Sequence, residues 1–518
     1  MPGGKVNPWV IAFTVMLATF MEVLDTSVAN VSLPHIAGNL AASVDESTWI
    51  LTAYLVSNAL VLPLGGWISM MIGRKRFYMT CVALFTISSV MCGFAPSLIF
   101  LVIARVFQGL GGGGLQPTSQ AILVETFPKE KQGMAMAVYG IGVIVAPVVG
   151  PTLGGWITDN FSWRWIFLIN VPVGILSLIL TSALIEDPPY LKRRSAKSGM
   201  RLDYIGLALL TLGLGFGEYV LDEGERSDWF GSPMIVWSVI ISTLALAAVV
   251  FWELRQKEPV LDFHILKDKN LSLGVFSIYL MGFILFGSTV LLPIFLQTVL
   301  GYTATLSGLV LSPGGIALGM MLPLVGFLLG KVQARWLMAS GLFISSMATL
   351  HMSGFNLDID FRTAVMARTF QMLGMAFLWV PMNTVAFSSV PKERMNYATG
   401  WLNLARNAGG SAGIAFVNTM LARREQFHQQ NLVSHLIPGN MMYQNMLEGL
   451  AHQLAIQGAS AADAMRQAQT MLYSTIQRHA AVLAVNDNFW LFGWLFLFMI
   501  PITLMMVNRP AKGKVHVD

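Results

Sequence analysis

Fourteen long apolar stretches recur along the 518-residue chain, and no other feature constrains its fold as much. Their approximate limits are 9–31, 48–71, 77–95, 98–124, 134–157, 163–185, 204–221, 233–252, 271–296, 304–329, 333–354, 362–389, 398–420 and 488–507. About twenty apolar residues in a helix cross the hydrocarbon core of a bilayer. Lipid offers no partners to backbone N–H and C=O groups, so each span must satisfy its own and is predicted to be helical. The composition agrees, with 55% hydrophobic and 11% charged residues, against about 25% charged in soluble domains. The fold class predicted is an all-α polytopic membrane protein.

The charges between the spans set an orientation. With the N-terminus in the cytoplasm, the inside segments hold 22 of the 32 basic residues, among them Arg74, Lys75, Arg76, Arg193 and Arg194. The short outside loops hold three, Arg164, Arg226 and Arg362. This bias predicts both termini in the cytoplasm and an even number of spans. It also accounts for the net charge of +5 without any nucleic-acid partner. The first apolar run has the look of a signal peptide. It continues through Glu22 and Asp25 with no small-residue cleavage site, so it reads as the first span. Cys81 and Cys92 lie in one predicted helix and cannot pair there.

Two segments stand apart from the spans. Residues 186–203 form a basic linker on the inner side. Residues 421–487 form a polar outer segment, with helical periodicity over 439–457 and 460–485. An amphipathic hairpin on the membrane surface, or a docking element for a partner, is expected there. The chain also repeats itself. Ala104-Arg105-Val106-Phe107-Gln108-Gly109-Leu110-Gly111 matches Ala367-Arg368-Thr369-Phe370-Gln371-Met372-Leu373-Gly374, and Pro128-Lys129-Glu130-Lys131 matches Pro391-Lys392-Glu393-Arg394, both at an offset of 263. The expected organisation is therefore a six-helix bundle over 1–185, the linker 186–203, an extra helix pair over 204–253, spans nine to thirteen over 254–420, the outer segment 421–487, and the last span with its tail over 488–518. Parallel repeats place a substrate site at the midplane between the halves, with rocking as the transport motion.

Within the fifth span, Gly140–Gly155 carries five glycines and two prolines and no charge. Gly142, Ala146, Gly150 and Gly154 recur every four residues, which strips one helical face for close approach of another helix. Pro147 and Pro151 each delete a backbone hydrogen bond and should kink the helix.

Two acids, Glu22 and Asp25, lie three residues apart in the first span. A carboxylate at depth costs about 2.5–3.5 kcal/mol on insertion scales, so it must be neutralised, paired or hydrated. Taking up and releasing a proton is one way to meet that demand. Arg105 in the fourth span is the natural partner, because its charge is permanent. Its repeat mate Arg368, like Arg406, reads as an interhelix hydrogen-bond donor, since no acid stands in the second half where Asp25 stands in the first. The proton-coupling candidates are Asp25, Glu22 and Arg105. Tyr54, Asn58, Gln108, Gln116 and Asn383 are polar positions on spans that can line a cavity, and Glu218, ending a glycine-rich helix, is a further candidate.

Enzyme signatures are missing from the sequence. The eight His residues form no His-Glu-x-x-His, and Gly-x-x-x-x-Gly-Lys-Ser/Thr does not occur. The one Gly-x-Ser-x-Gly match, Gly409–Gly413, lies inside the thirteenth apolar span and not at a strand-to-helix turn. No metal, cofactor or built-in ATPase is expected, and the chain is not read as an enzyme.

Several of these segments carry a family resemblance. Leu24-Asp25-Thr26-Ser27-Val28-Ala29-Asn30-Val31-Ser32-Leu33-Pro34 resembles the first-helix motif of the fourteen-span drug:proton antiporters of the major facilitator superfamily, most like the EmrB-type multidrug exporters. Arg105 with Gln108-Gly109 resembles their fourth-helix motif, and Gly142, Ala146, Pro147, Gly150, Pro151 and Gly154 their antiporter motif. Trp163–Pro172 and Leu221-Asp222-x-Gly224 with Asp228-Trp229-Phe230 look family-typical. In the loop after span two, Met70 and Met71 stand where the superfamily usually has Asp and Arg, which puts the usual charge latch between the halves in doubt. The resemblance implies two six-helix bundles plus two extra helices, in a bacterial inner membrane. It implies proton-coupled export of lipophilic compounds, with Asp25 as main coupling acid and Arg105 as its modulator. It further implies a complex with an EmrA-like periplasmic adaptor and a TolC-type outer-membrane channel, for which 421–487 is the candidate contact. A proton-coupled transporter of one natural metabolite or lipid is the alternative; a membrane enzyme or a sensor fits less well. A drug, a fatty acid, a bile-salt-like detergent and a self-made metabolite all remain open as substrates.

Overall fold

A computed structural model describes residues 7–42, 44–47, 49–187, 203–256, 259, 261–391, 394–434, 436 and 441–506. The linker 188–202 and the tail 507–518 lie outside the described residues. The first half holds α1 (Pro8–Asn39), α2 (Val44–Ser47), α3 (Trp49–Ile72), α4 (Arg74–Gly93), α5 (Leu98–Gly112), α6 (Leu115–Thr126), α7 (Lys129–Asn160), α8 (Trp165–Leu168) and α9 (Asn170–Leu184). The pair α10 (Tyr204–Glu223) and α11 (Pro233–Glu253) follows. The second half holds α12 (Lys269–Ile294), α13 (Ala304–Leu328), α14 (Ala334–Met352), α15 (Phe361–Phe387), α16 (Met395–Val433), α17 (Met441–Ile456) and α18 (Ala461–Leu504).

Ten of these helical units are long and apolar enough to cross a membrane, counting α5 with α6 and α8 with α9 as one unit each. Together with α3, α7, α14 and α16 they are compatible with fourteen spans. Several helices start at a residue whose side-chain oxygen accepts an otherwise orphaned N–H. Asn7 caps Trp9, Asp203 caps Gly206 and Asp268 caps Leu271, at 2.8–3.0 Å. Large apolar side chains such as Ile99, Phe230, Leu244 and Met320 face outward, as lipid-facing positions do.

The fourth predicted span is two helices, α5 and α6, parted at Gly113 and Gly114. Pro117 lacks the N–H that the Gly113 carbonyl would otherwise receive, and four consecutive glycines give the chain little resistance to a break. The fifth span, by contrast, is unbroken from Lys129 to Asn160 despite Pro147 and Pro151.

Each half is a bundle in which α1 packs on α7 and α9, and α12 on α16 and α15. The halves meet where α7 packs on α13 and where α16 packs on α3 and α6. The sequence repeat has a structural counterpart. Arg105 Nη1 donates to Gln108 Oε1 at 2.8 Å, and Arg368 Nη1 donates to Gln371 Oε1 at 2.6 Å. Arg74 pairs with Glu125 within the first half, and the Lys75 N–H donates to Asp187 Oδ1 at 2.9 Å. The acids that meet this basic loop thus come from its own half.

The segment 421–487 is helical in three pieces: the end of α16, then α17, then the start of α18. A separate last span beginning at 488 was the expectation, but α18 runs through that point without interruption. Neither glycine nor proline occurs between Ala461 and Phe492, so nothing ends the helix. With 39 and 44 residues, α16 and α18 are about 58 and 66 Å long at 1.5 Å per residue, twice the roughly 30 Å of hydrocarbon. Their shared extension is held by Asp487, which accepts from Arg424 Nε at 2.5 Å and lies 2.7 Å from His428 Nε2. Gln429 Nε2 donates to the Tyr473 hydroxyl at 2.8 Å. Gly458, at φ +101°, makes the turn between α17 and α18.

Candidate functional site

α1 carries both acids, and each enters its own buried cluster. Asp25 meets α5 and α9. Its Oδ2 accepts from Arg105 Nη1 at 2.5 Å, and its Oδ1 accepts from Gln108 Nε2 at 2.9 Å and Asn170 Nδ2 at 2.6 Å. Gln108 Nε2 also donates to Ser89 Oγ on α4 at 2.9 Å. Arg105 is held independently of the acid, since its Nε donates to the Ile50 carbonyl at 3.0 Å. All four side chains, Asp25, Arg105, Gln108 and Asn170, are buried. A buried ion pair is a demanding arrangement: removing one charge leaves the other uncompensated, at about 3–5 kcal/mol.

Glu22 meets α3 and α6. Its Oε1 accepts from the Tyr54 hydroxyl and from Asn58 Nδ2, both at 3.2 Å, and its Oε2 accepts from Gln116 Nε2 at 2.6 Å. The other end of the same Gln116 amide accepts from Arg406 Nη2 on α16. Glu22 in the first half therefore reaches a cation in the second half through one amide. Beside that contact Asn403 Nδ2 donates to Gln120 Oε1 at 3.2 Å, again across the halves. Arg406, Gln120, Asn383, Asn403 and Trp379 line a void of about 10 Å³, room for about one water.

Tyr54 joins the two clusters. Its hydroxyl is on Glu22, and its ring lies 4.2 Å from the Arg105 guanidinium carbon. Of the residues expected at a cavity, Tyr54, Asn58 and Gln116 gather around Glu22, while Asn383 sits at the void. Gln108 belongs instead to the Asp25 cluster, and Glu218 stands away from both, against Ser411 of α16.

The stripped face of α7 lies on α1. A methyl group built on Gly142 would come within 2.6 Å of Met16 Cγ, one on Gly150 within 2.5 Å of Ser27 Oγ, and one on Gly154 within 2.7 Å of Val28 Cγ1. Ala146 is fully buried between them. Ser27 Oγ donates to the Pro147 carbonyl at 3.2 Å. That carbonyl is the one left without its helical donor by Pro151. The contact places the glycine face directly over the turn of α1 that presents Asp25.

Sequence reasoning missed Arg406 as a partner of Glu22, and it missed Ser89 and Gln120. Asn170 lies within the family-typical stretch Trp163–Pro172. Each is a polar side chain within an apolar run, the signal that marks intramembrane function. What the sequence lacked was which of them face one another.

Residues 15–414 match the family model of the Major Facilitator Superfamily. The chain belongs to that superfamily. Within it, the chain is 34% identical to the multidrug export protein EmrB of Escherichia coli strain K12, over 97% of this chain and 96% of that one. It is also 34% identical to the fatty acid resistance protein FarB of Neisseria gonorrhoeae, over 96% of each. The crystal structure of the human organic anion transporter MFSD10 superposes with a TM-score of 0.60, covering 96% of this chain and 99% of that one, at 12% identity. That likeness bears on the fold alone. The membership bears out the resemblance read from the motifs. The chain is a multi-pass membrane protein of a transporter family and not an enzyme.

Proposed function

We propose that this protein exports lipophilic drugs or related small molecules across a bacterial inner membrane in exchange for protons. The observation that carries the reading is the buried Asp25–Arg105 pair, in which one partner can lose its charge by taking a proton and the other cannot. The 34% identity to EmrB, whose name records multidrug export, supports the cargo class. Asp25 is the main proton carrier. Glu22 is the second, and its contact through Gln116 with Arg406 gives its charge state a way to influence how the halves meet. The energetics suffice: one charge crossing about 100 mV is worth roughly 2.3 kcal/mol, which sustains roughly a fifty-fold gradient at about 1.4 kcal/mol per tenfold.

Both termini are assigned to the cytoplasm on the distribution of basic residues. The helical extension of α16, α17 and α18 then projects into the periplasm. It is the surface for an EmrA-like adaptor leading to a TolC-type channel, and exposed apolar side chains on it, such as Phe427, Met441, Met446 and Ile456, support that assignment.

The test is reconstitution in vesicles with a trapped pH dye, challenged with lipophilic weak acids and cations. Substrate-induced proton flux in the wild type that disappears in Asp25→Asn is the expected result. Flux that persists unchanged in that variant rules out Asp25 as the carrier, and substrate uptake with no proton movement in the wild type rules out antiport.

A further inference from the structure

The helix pair α10–α11 is set into the seam between the halves. α10 touches α3 of the first half and α16 of the second, and it carries two acids one turn apart, each bonded to a different half. Asp222 Oδ2 accepts from the Thr52 hydroxyl on α3, and Glu218 Oε1 accepts from the Ser411 hydroxyl on α16. Both contacts are reinforced. Tyr219 stacks on Trp49 of α3, ring centroids 5.9 Å apart. Beyond the end of α10, Trp229 Nε1 donates to Thr419 Oγ1 of α16 at 3.1 Å.

The pair itself is stiff. Ser242 Oγ on α11 donates to the Gly213 carbonyl on α10 at 2.7 Å, and Trp252 Nε1 meets both oxygens of Asp203 at 2.9 Å. A stiff element bonded to two bodies cannot follow both when they rotate apart. If α3 and α16 separate at this end of the bundle, at least one carboxylate must release its hydroxyl. Neither Glu218 nor Asp222 forms an ion pair among the described residues, so the joints are single hydrogen bonds to hydroxyls that can break and re-form. Permanent assembly of the pair would need no acids at all, because apolar packing against α3 and α16 would serve.

We infer that Glu218 and Asp222 are positioning residues of the transport cycle: through them α10 clamps α3 to α16 and holds this seam closed until the halves rock. The inference rests on the transport reading given above, and it assigns to the extra helix pair the work of a latch. Neither residue touches the Glu22 or Asp25 cluster, so the clamp acts on the movement of the halves and not on the proton site.

The experiment is a distance measurement by electron paramagnetic resonance between spin labels at Leu55 on α3 and Gln426 on α16, both exposed. The native Cys81 and Cys92 are buried. Glu218→Ala and Ser411→Ala are each expected to raise the long-distance population roughly five-fold, the equivalent of one net hydrogen bond of about 1 kcal/mol. The double variant should add nothing to either single one. Glu218→Gln keeps an oxygen facing Ser411 and should stay near the wild-type distribution, which guards against a variant that fails to fold. Transport in Glu218→Ala should change in maximal rate with substrate KM unaltered. An unchanged distance distribution in both Glu218→Ala and Ser411→Ala overturns the clamp, even where proton exchange is normal. A shifted distribution in a protein that exchanges no protons leaves the clamp standing and removes the antiport reading instead.

Discussion

The ring of Tyr54 lies 4.2 Å from the Arg105 guanidinium carbon while its hydroxyl donates to Glu22 at 3.2 Å. One side chain on α3 thus touches the basic partner of Asp25 and the second acid of α1. Tyr54→Phe keeps the stacking and loses the hydrogen bond, at about 1 kcal/mol. Tyr54→Ala also removes the ring, for a total near 3–5 kcal/mol. Unfolding of the purified protein in detergent should rank them in that order, and equal losses would separate Tyr54 from Arg105.

Asp25→Asn should both stop proton coupling and destabilise the protein, because Arg105 keeps its charge in a buried site. The expected loss is about 3–5 kcal/mol. Adding Arg105→Gln should recover much of the stability and none of the coupling. Thermal unfolding and vesicle proton flux, measured on the same preparations, read the two effects separately.

The first and second halves differ at one informative position. Ser288 stands at the repeat offset from Asp25, and its Oγ accepts from Arg368 Nη1 at 3.0 Å. Ser288→Asp places a carboxylate beside a buried guanidinium and should be tolerated, with the melting temperature held or raised. Ser288→Lys sets two cations side by side and should prevent stable assembly, as chromatography of the detergent-solubilised protein would show.

Gly150 leaves no room for a methyl group, since Ser27 Oγ would stand 2.5 Å from it. Gly150→Ala should therefore slow transport, and Ser27→Gly should partly restore it by clearing the clash. The rescue is expected to be incomplete, because Ser27 also satisfies the Pro147 carbonyl. Uptake assays on the single and double variants test this, and a double variant worse than Gly150→Ala would exclude Ser27 as the obstacle.

Asp487 ties the end of α16 to α18 through Arg424 and His428. Asp487→Asn should speed hydrogen exchange over 421–433 and 461–487 by roughly ten-fold, the equivalent of about 1.4 kcal/mol, with the spans unchanged. Exchange that rises equally in the spans would mean that the pair supports the whole bundle.

Much of the fold was legible because lipid imposes a simple rule: an apolar run of sufficient length must be a helix. The glycine face of α7 and the pairing of Asp25 with Arg105 were readable for related reasons, as a spacing of four marks a face and a buried acid requires a counter-charge. The break between α5 and α6 was harder to see, since glycine permits both a bend and a continuous helix. The continuity of α18 was hidden by its change in polarity at residue 488. Hydropathy marks where lipid begins, whereas helices end at residues that break hydrogen bonds. The partner of Arg406 was the largest omission at the site. The contact of Arg406 with Gln116 spans 290 positions, and no local pattern encodes which surfaces the two halves present to each other.

The unbroken course of α18 also has a mechanical meaning. A loop between membrane and extension would absorb motion, but a single helix of about 66 Å transmits it. A tilt of about 10° in the embedded part displaces the far tip by roughly 10 Å at that length. In the proposed transport cycle the bilayer would serve as the fulcrum of a lever, and an adaptor gripping the free end would move with every turnover.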